Sequence, residues 1–233
     1  MPKSKMRKLA YIKGFGFEIE GGWTRERRQK YETERIMKSD GSVNVPAPYV
    51  QGEINSPVYK DMQMAWEFIK DYYPDVVNES CGLHVHISVK NSDYVRLMEK
   101  KFHEEFHKWM EWMLKNHKDR IPKEFKNRKE GKNRYCKDEF MPEKQVIGAG
   151  DRYTQLNYCH KQHATMENRM LPGCKDAKTA FFLITQYLLM VENYLKKTPN
   201  KITTHTIEIE APEAKKEKVT KIEENIGEIL ICA

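Results

Sequence analysis

The chain has 233 residues, of which 39% are hydrophobic and 11% aromatic, enough for a core within one large or two small domains. No run approaches the roughly 20 apolar residues of a membrane span, so no membrane partner is expected. The net charge of +7 is local, because residues 115–137 hold ten Lys or Arg and three Asp or Glu. This segment is either a solvated loop or a groove that attracts phosphates or an acidic substrate.

Cysteine usage and the first residues indicate the compartment. The five cysteines are odd in number and include no Cys-x-x-Cys pair, which argues against a zinc ribbon or a disulfide framework. Residues 1–8 are basic but lack the apolar core of a signal peptide. We therefore expect reduced thiols and a cytoplasmic location.

The first half of the chain alternates between short strands and helices. Period-two alternation predicts a strand over residues 11–20, followed by a loop or exposed helix over 24–38. Short strands are predicted at 41–45 and 51–58. Helical periodicity predicts a helix over 61–73, which Pro74 ends. The first half ends with a strong strand predicted at 82–89 and a long amphipathic helix predicted at 93–115.

The second half begins with the basic segment as a loop up to residue 150, of which 120–134 is predicted to be a mobile lid or substrate-recruiting loop. Two strands at 152–158 and 165–171 are predicted to form a hairpin. Asp176 is predicted to cap a helix that runs to residue 197. A strand at 202–210 and a weak amphipathic helix over 213–233 complete the chain. The pattern predicts an α+β fold, an antiparallel sheet with helices on one face, with a domain at 1–211 and a helical tail at 212–233.

Two glutamates on the first strand carry the first chemical signal. Glu18 and Glu20 lie two residues apart, so both carboxylates project from the same face of the strand. Neighbouring carboxylates repel unless a proton or cation lies between them, and Mg²⁺ prefers such oxygen ligands. The simpler alternative is the polar face of a half-exposed strand.

Later strands repeat this arrangement. His84 and His86 share one face of their strand, which suits metal or phosphate binding, although an idle surface pair has the same pattern. Glu167 and Arg169 also share a face, and form either an ion pair or a metal ligand beside a phosphate clamp. Glu53, Arg152 and Asn157 carry little signal by themselves.

Taken in order, these motifs resemble the glutamine-synthetase-like amidoligases, a family of carboxylate–amine ligases. The family pattern comprises an early Glu-x-Glu strand, a Glu on a following strand, a Gly-x-His-x-His strand, an Arg and Asn strand and a final Glu-x-Arg strand. All five occur here between residues 14 and 169, and the Asp40-Gly41-Ser42 element is also similar to the family.

The resemblance implies a curved antiparallel sheet in a glutamine-synthetase-like catalytic domain. It also implies ATP-dependent ligation of a carboxylate to an amine through an acyl phosphate, with ATP and Mg²⁺ as cofactors. The implied metal ligands are Glu18, Glu20, Glu53, His84 and Glu167. The implied phosphate and substrate contacts are His86 and Arg169 for the nucleotide and transferred phosphate, and Arg152 and Asn157 for substrate or phosphate. The resemblance leaves the amine open among a small molecule, a peptide and a protein side chain.

Two alternative functions stay open at this point. His103-Glu104-x-x-His107 matches the zinc-metalloprotease signature on a predicted helix, where both histidines share a face. No motif supplies a third ligand. The basic segment 115–137, with Tyr135 as a stacking side chain, also matches a nucleic-acid-binding protein, although a nucleic acid is the less expected partner.

Overall fold

A computed structural model describes residues 9–198, apart from the side chain of Gln162. These residues form an α+β fold around a six-stranded sheet in the order β2-β3-β1-β4-β6-β5, in which every strand pair is antiparallel. The strands are β1 Gly14–Trp23, β2 Met37–Lys38, β3 Val50–Asn55, β4 Leu83–Ser88, β5 Leu156–Asn157 and β6 Met166–Asn168. The α+β class and the antiparallel sheet are thus confirmed.

Eight helices lie between and after the strands of the described residues. They are α1 Arg25–Thr33, α2 Met62–Tyr72, α3 Asn91–Leu97, α4 Lys100–Asn116, α5 Glu124–Lys129, α6 Pro142–Val146, α7 His160–His163 and α8 Ala177–Lys197. Asp176 caps α8 by accepting a hydrogen bond from the Thr179 backbone N–H at 2.7 Å. The predicted helices at 61–73 and 176–197 are confirmed.

Alternation along β1 divides the sheet into an apolar and a polar face. Phe15, Phe17 and Ile19 are buried in the same core cluster as Leu83 and Val85 of β4. Buried side chains of α2, α4 and α8 belong to this cluster too, so these helices cover the apolar face. The residues that alternate with these apolar residues on β1 and β4 therefore form the opposite, polar face of the sheet.

The predicted strand at 41–45 is wrong. Ser42 donates both its backbone N–H and its hydroxyl to Asp40 Oδ1, each at 2.7 Å. The backbone N–H of Asn44 donates to Ser80 Oγ at 2.9 Å. Because side chains satisfy these backbone groups, the segment forms a turn and no ladder with a neighbouring strand.

The single helix predicted at 93–115 is divided into α3 and α4. Two tyrosine hydroxyls donate to backbone carbonyls next to the break. Tyr158 donates to the Leu97 carbonyl at 2.7 Å, and Tyr194 donates to the Arg96 carbonyl at 3.4 Å. Both donors come from distant segments, so helical periodicity alone does not reveal the break.

The basic segment is more ordered than the predicted loop. It contains α5, in which Phe125 is fully buried and Arg128 is 3% exposed. The Arg128 guanidinium donates to the carbonyls of Arg169 and Cys81 at 3.0 and 3.1 Å. The centre of the predicted lid is therefore anchored to the sheet.

The predicted hairpin at 152–158 and 165–171 is confirmed as the antiparallel pair β5 and β6, although both strands are shorter and α7 lies between them. Within residues 9–198 no helix combines the length and apolarity needed to cross a bilayer. The strand predicted at 202–210, the tail helix and the boundary at residue 211 lie outside the described residues.

Candidate functional site

The polar face of the sheet brings together side chains from five of its strands. Glu20 of β1 lies opposite Glu53 of β3, and Glu18 lies opposite His84 of β4. On the other side of β4, His86 lies opposite Glu167 of β6, which in turn lies opposite Asn157 of β5. This antiparallel register explains why residues so far apart in sequence share one surface.

His84 lies at the centre of this surface. It is 3% exposed, and its Nδ1 is 3.1 Å from Glu18 Oε2 and 3.6 Å from Glu167 Oε1. Its Nε2 is 3.6 Å from Glu20 Oε1. A single imidazole thus contacts carboxylates from two strands.

Glu20 is held by the turn that precedes β4. The Gly82 backbone N–H donates to Glu20 Oε2 at 2.5 Å, which fixes the carboxylate. A Cβ at Gly82 would lie 2.7 Å from His84 Nε2 and 3.1 Å from Glu20 Oε2, so no larger residue fits without displacement. This close approach explains the glycine of the Gly-x-His-x-His element.

Glu167 and Arg169 form a buried ion pair at the other end of the surface. The Arg169 guanidinium donates to Glu167 Oε1, and both side chains are at most 7% exposed. Asn157 Nδ2 donates to Glu167 Oε2 at 2.8 Å, so both carboxylate oxygens have partners. Arg169 is thereby fixed beside the carboxylate cluster, with its guanidinium carbon 5.6 Å from the centre of the Tyr153 ring.

The charges of the site depend on one another. Burial alone would raise the pKa of Glu18, but hydrogen bonds to His84 and His86 hold it well below its ordinary value. Burial would lower the pKa of His86, yet hydrogen bonds to Cys159 and Glu18 raise it to about 10. Burial, followed by repulsion from Glu18, raises the pKa of Glu53. The site therefore favours a protonated His86 and makes ionisation of Glu53 less favourable than that of an exposed carboxyl.

Three overlapping groups on this face have ligand atoms within 4.8 Å of one another. They are Glu18 with His86 and Glu167, Glu18 with Glu53 and His84, and Glu20 with Asp40 and Glu53. The donor set is mainly carboxylate oxygen, which suits Mg²⁺ or Mn²⁺. Burial, and then repulsion from Glu18 and Glu20, raises the pKa of Glu53, and a divalent cation would relieve the repulsion. The residues therefore fit a site for hard divalent cations.

A cleft of about 100 Å³ opens over this surface, and both acidic residues and arginines line it. Arg128, Arg152 and Arg169 line it together with Tyr135 and Tyr153. Arg152 lies on a loop before β5 and is exposed, whereas the sequence predicted it on a strand. Its guanidinium carbon is 5.2 Å from the Tyr153 ring centre.

Sequence reasoning missed Arg128 as a site residue. Its backbone-anchored guanidinium lines the cleft, and burial lowers its pKa. The apolar Phe125 three residues earlier was the available signal, because together they give α5 a buried face. Asp40, which the sequence linked only to a short acidic element, joins Glu20 and Glu53 in the third ligand group.

The metalloprotease signature lies elsewhere. His103 and His107 are on α4, one of the helices that cover the apolar face, and Glu104 is exposed. None of these three residues lines the cleft. The sheet site and the helix motif are therefore separate.

The fold and the site define a class, an α+β protein with a cation- and phosphate-competent cluster on the open face of an antiparallel sheet. Residues 11–184 match the family model described as "Putative amidoligase enzyme". Because this match covers most of the chain, the protein belongs to the amidoligase family, which confirms the resemblance. The family implies ligase activity on a carboxylate and an amine in general. No match was found among curated proteins or among solved structures.

Proposed function

We propose that this amidoligase is ATP-dependent and joins a carboxylate to an amine through an acyl phosphate. The observation that carries the proposal is the convergence of four glutamates and two histidines on one sheet face, with Arg169 held beside Glu167. The acidic groups and arginines that line the same small cleft suit a polyphosphate with its divalent cations.

The cation ligands in this proposal are Glu18, Glu20, Glu53, His84 and Glu167. Mg²⁺ bound there would neutralise the phosphates of ATP and help to align them. Asp40 is a further candidate ligand because it lies in the group with Glu20 and Glu53. The proposal assigns His86 to the nucleotide phosphates, since its ring is only partly buried and its raised pKa favours the imidazolium.

The reaction requires two displacements. In the first, a carboxylate oxygen attacks the γ-phosphorus, the bond to the bridging oxygen breaks, and ADP leaves. In the second, the amine nitrogen attacks the acyl carbon, phosphate leaves with its bonding electron pair, and the amine loses a proton. Both steps depend on positioning and on stabilising charge on phosphate oxygens, to which a planar guanidinium is suited. We assign that role to Arg169, and weaker phosphate or substrate contacts to Arg152 and Asn157.

The glutamine-synthetase-like character of the domain belongs to the same proposal. Its support is the order of the motifs along the antiparallel strands, since β1, β3, β4 and β6 each contribute a side chain to one face. A cytoplasmic location is also part of this proposal. Cys81, Cys136, Cys159 and Cys174 are buried free thiols, which fits a reducing compartment.

The test is phosphate release from ATP and Mg²⁺ across a panel of amino-acid and peptide pairs, with hydroxylamine as a substitute amine. Hydroxylamine converts an acyl phosphate into a hydroxamate, so its product reports the intermediate without knowledge of the natural amine. We expect phosphate and hydroxamate in equal amounts from the wild type and from the helix variant Glu104→Gln. Both should be lost in Glu18→Gln.

Two outcomes would contradict the proposal. If melting of the protein does not respond to millimolar MgATP, the nucleotide is not a ligand of the folded state. If turnover survives Glu18→Gln but not Glu104→Gln, the chemistry belongs to the helix motif and not to the sheet face.

A further inference from the structure

A second group of possible metal ligands lies on α4, outside the sheet site. His103 and His107 are one helical turn apart, with ring centres 4.5 Å from each other. Asp138 meets them from a distant segment, with its Oδ1 3.0 Å from His107 Nε2 and 3.8 Å from His103 Nε2. All three ligand atoms lie within 4.8 Å of one another.

The Nε2 atoms of both histidines lack hydrogen-bond partners among the residues that the structure describes. Both Nε2 atoms are buried, and neither makes a hydrogen bond of acceptable geometry to any described residue, even though the Asp138 oxygen is close. Buried ring nitrogens normally have a donor or acceptor partner. Here both Nε2 atoms face the same Asp138 carboxylate. A cation bound between the three side chains would give each of them a partner.

Asp138 is placed there by its backbone. The Lys137 N–H donates to the Tyr153 carbonyl at 2.8 Å, and the Gln155 N–H donates to the Lys137 carbonyl at 2.9 Å. Gly131 has a φ of +66°, and a Cβ there would lie 2.9 Å from the Asp138 backbone nitrogen. The segment is therefore pinned on two sides, and the Asp138 carboxylate faces α4 in a defined position.

We propose that His103, His107 and Asp138 form a binding site for a transition metal, with Zn²⁺ as the best-fitting ion. Zinc–ligand bonds of about 2.0–2.2 Å in tetrahedral geometry separate ligand atoms by roughly 3.3–3.6 Å. The observed 3.0 and 3.8 Å separations lie on either side of this value. Two imidazoles and one carboxylate favour zinc over Mg²⁺, which prefers oxygen ligands alone.

The metal would act as a clamp between α4 and the segment that carries Tyr135. Tyr135 lines the cleft over the sheet, and its carbonyl lies 3.5 Å from Arg169 Nε. The Tyr135 ring also contacts Tyr153 at a centroid distance of 5.4 Å. Fixing Asp138 three residues further on therefore fixes one wall of the cleft. This role differs from the protease function that the His-x-x-x-His spacing first indicated.

The test is zinc affinity of the full-length protein, measured by competition with a chromophoric chelator in millimolar Mg²⁺. We expect one equivalent of Zn²⁺ for the wild type, for the sheet variant Glu18→Gln and for the exposed-residue variant Glu104→Gln. Asp138→Asn and His107→Gln should raise the Kd for Zn²⁺ at least tenfold, the lower limit for losing even a supporting residue of a metal site. His117→Ala is the matched control, since His117 follows the same helix but belongs to no ligand group.

Asp138→Asn should fold like the wild type, because the Asp138 side chain is 42% exposed and the change conserves its shape. Its melting temperature without zinc should equal that of the wild type, while zinc should raise only the wild-type value. Zinc binding that survives Asp138→Asn and His107→Gln but is lost in Glu18→Gln would overturn the proposal, as would an absence of zinc binding in the wild type. Neither result bears on ATP turnover, so the ligase proposal is tested separately.

Discussion

Replacing Glu53 by Gln should stabilise the protein in the absence of divalent cations. The ligand atoms of Glu53 and Glu18 lie within 4.8 Å of each other. Two like charges at that distance repel by about 3 kcal/mol at an effective dielectric constant of 20. Because Glu53 is only half-buried, water and His84 reduce this, and we expect a net gain of about 1–2 kcal/mol. Gln keeps the oxygen that accepts from Asn55 Nδ2 at 2.8 Å.

The gain should depend on pH in a defined direction. Burial, with repulsion from Glu18, raises the pKa of Glu53 above its ordinary value of 4.5. A carboxyl whose pKa is raised on folding contributes stability that is fully present below the unfolded pKa and is lost as the pH rises through the folded pKa. The wild type therefore loses this stability as the pH rises above about 4.5 and through the raised pKa of the folded state, whereas Glu53→Gln does not. The two proteins should melt alike near pH 4 and diverge at pH 7.5.

Thermal melts with and without Mg²⁺ give the measurement. A gain of 1–2 kcal/mol corresponds to a melting temperature about 2–8 °C higher for a chain of this size. Mg²⁺ should reverse the order, because it stabilises the wild type through a carboxylate that the variant lacks. Glu104→Gln is the control and should match the wild type in both conditions. A Glu53→Gln variant less stable than the wild type at pH 7.5 without Mg²⁺ would refute the charge-repulsion argument.

Three further predictions concern other parts of the site and fold. Arg169→Lys should lower turnover by about 100- to 1000-fold with little change in nucleotide Kd, as for loss of one preorganised donor. Glu167→Gln should instead weaken nucleotide and Mg²⁺ binding together. Equal effects of the two variants on nucleotide Kd would contradict this division of roles. Gly82→Ala should abolish the Mg²⁺-dependent rise in melting temperature, since its Cβ would lie 2.7 Å from His84 Nε2; an unchanged rise would show that the turn is adaptable. Asp176→Ala should lower the unfolding free energy by about 1 kcal/mol through loss of the α8 cap, with the Mg²⁺ response intact in the same melts.

The sheet and its polar face were predictable because strands carry a period-two pattern. Alternation places Glu18 and Glu20 on one face, and His84 and His86 on one face, whatever the neighbouring strands are. Which of these faces meet was supplied by the family resemblance, since strand order and register are long-range properties. The order β3-β1-β4-β6 now gives the pairs Glu20 with Glu53 and Glu18 with His84.

The predictions that were wrong share a physical cause, because in each case a partner distant in sequence outweighs the local sequence pattern. At the division between α3 and α4, the carbonyls of Leu97 and Arg96 accept from the hydroxyls of Tyr158 and Tyr194, which lie 61 and 98 residues further along the chain. The loss of the strand at 41–45 depends partly on Ser80. Arg128 was hidden because a dense run of positive charge indicates solvent exposure, whereas its guanidinium is buried against two backbone carbonyls.

The position of β1 within the sheet explains why Glu18 belongs to more than one ligand group. As an inner strand, β1 pairs with β3 on one side and β4 on the other, so Glu18 belongs to the ligand group with Glu53 and also to the group with Glu167. A cation in either group would hold Glu18 and reduce its repulsion with the other group's carboxylate. Two cations sharing one carboxylate would therefore be coupled through Glu18, which makes this residue the physical link between the acidic end of the site and the Arg169 end.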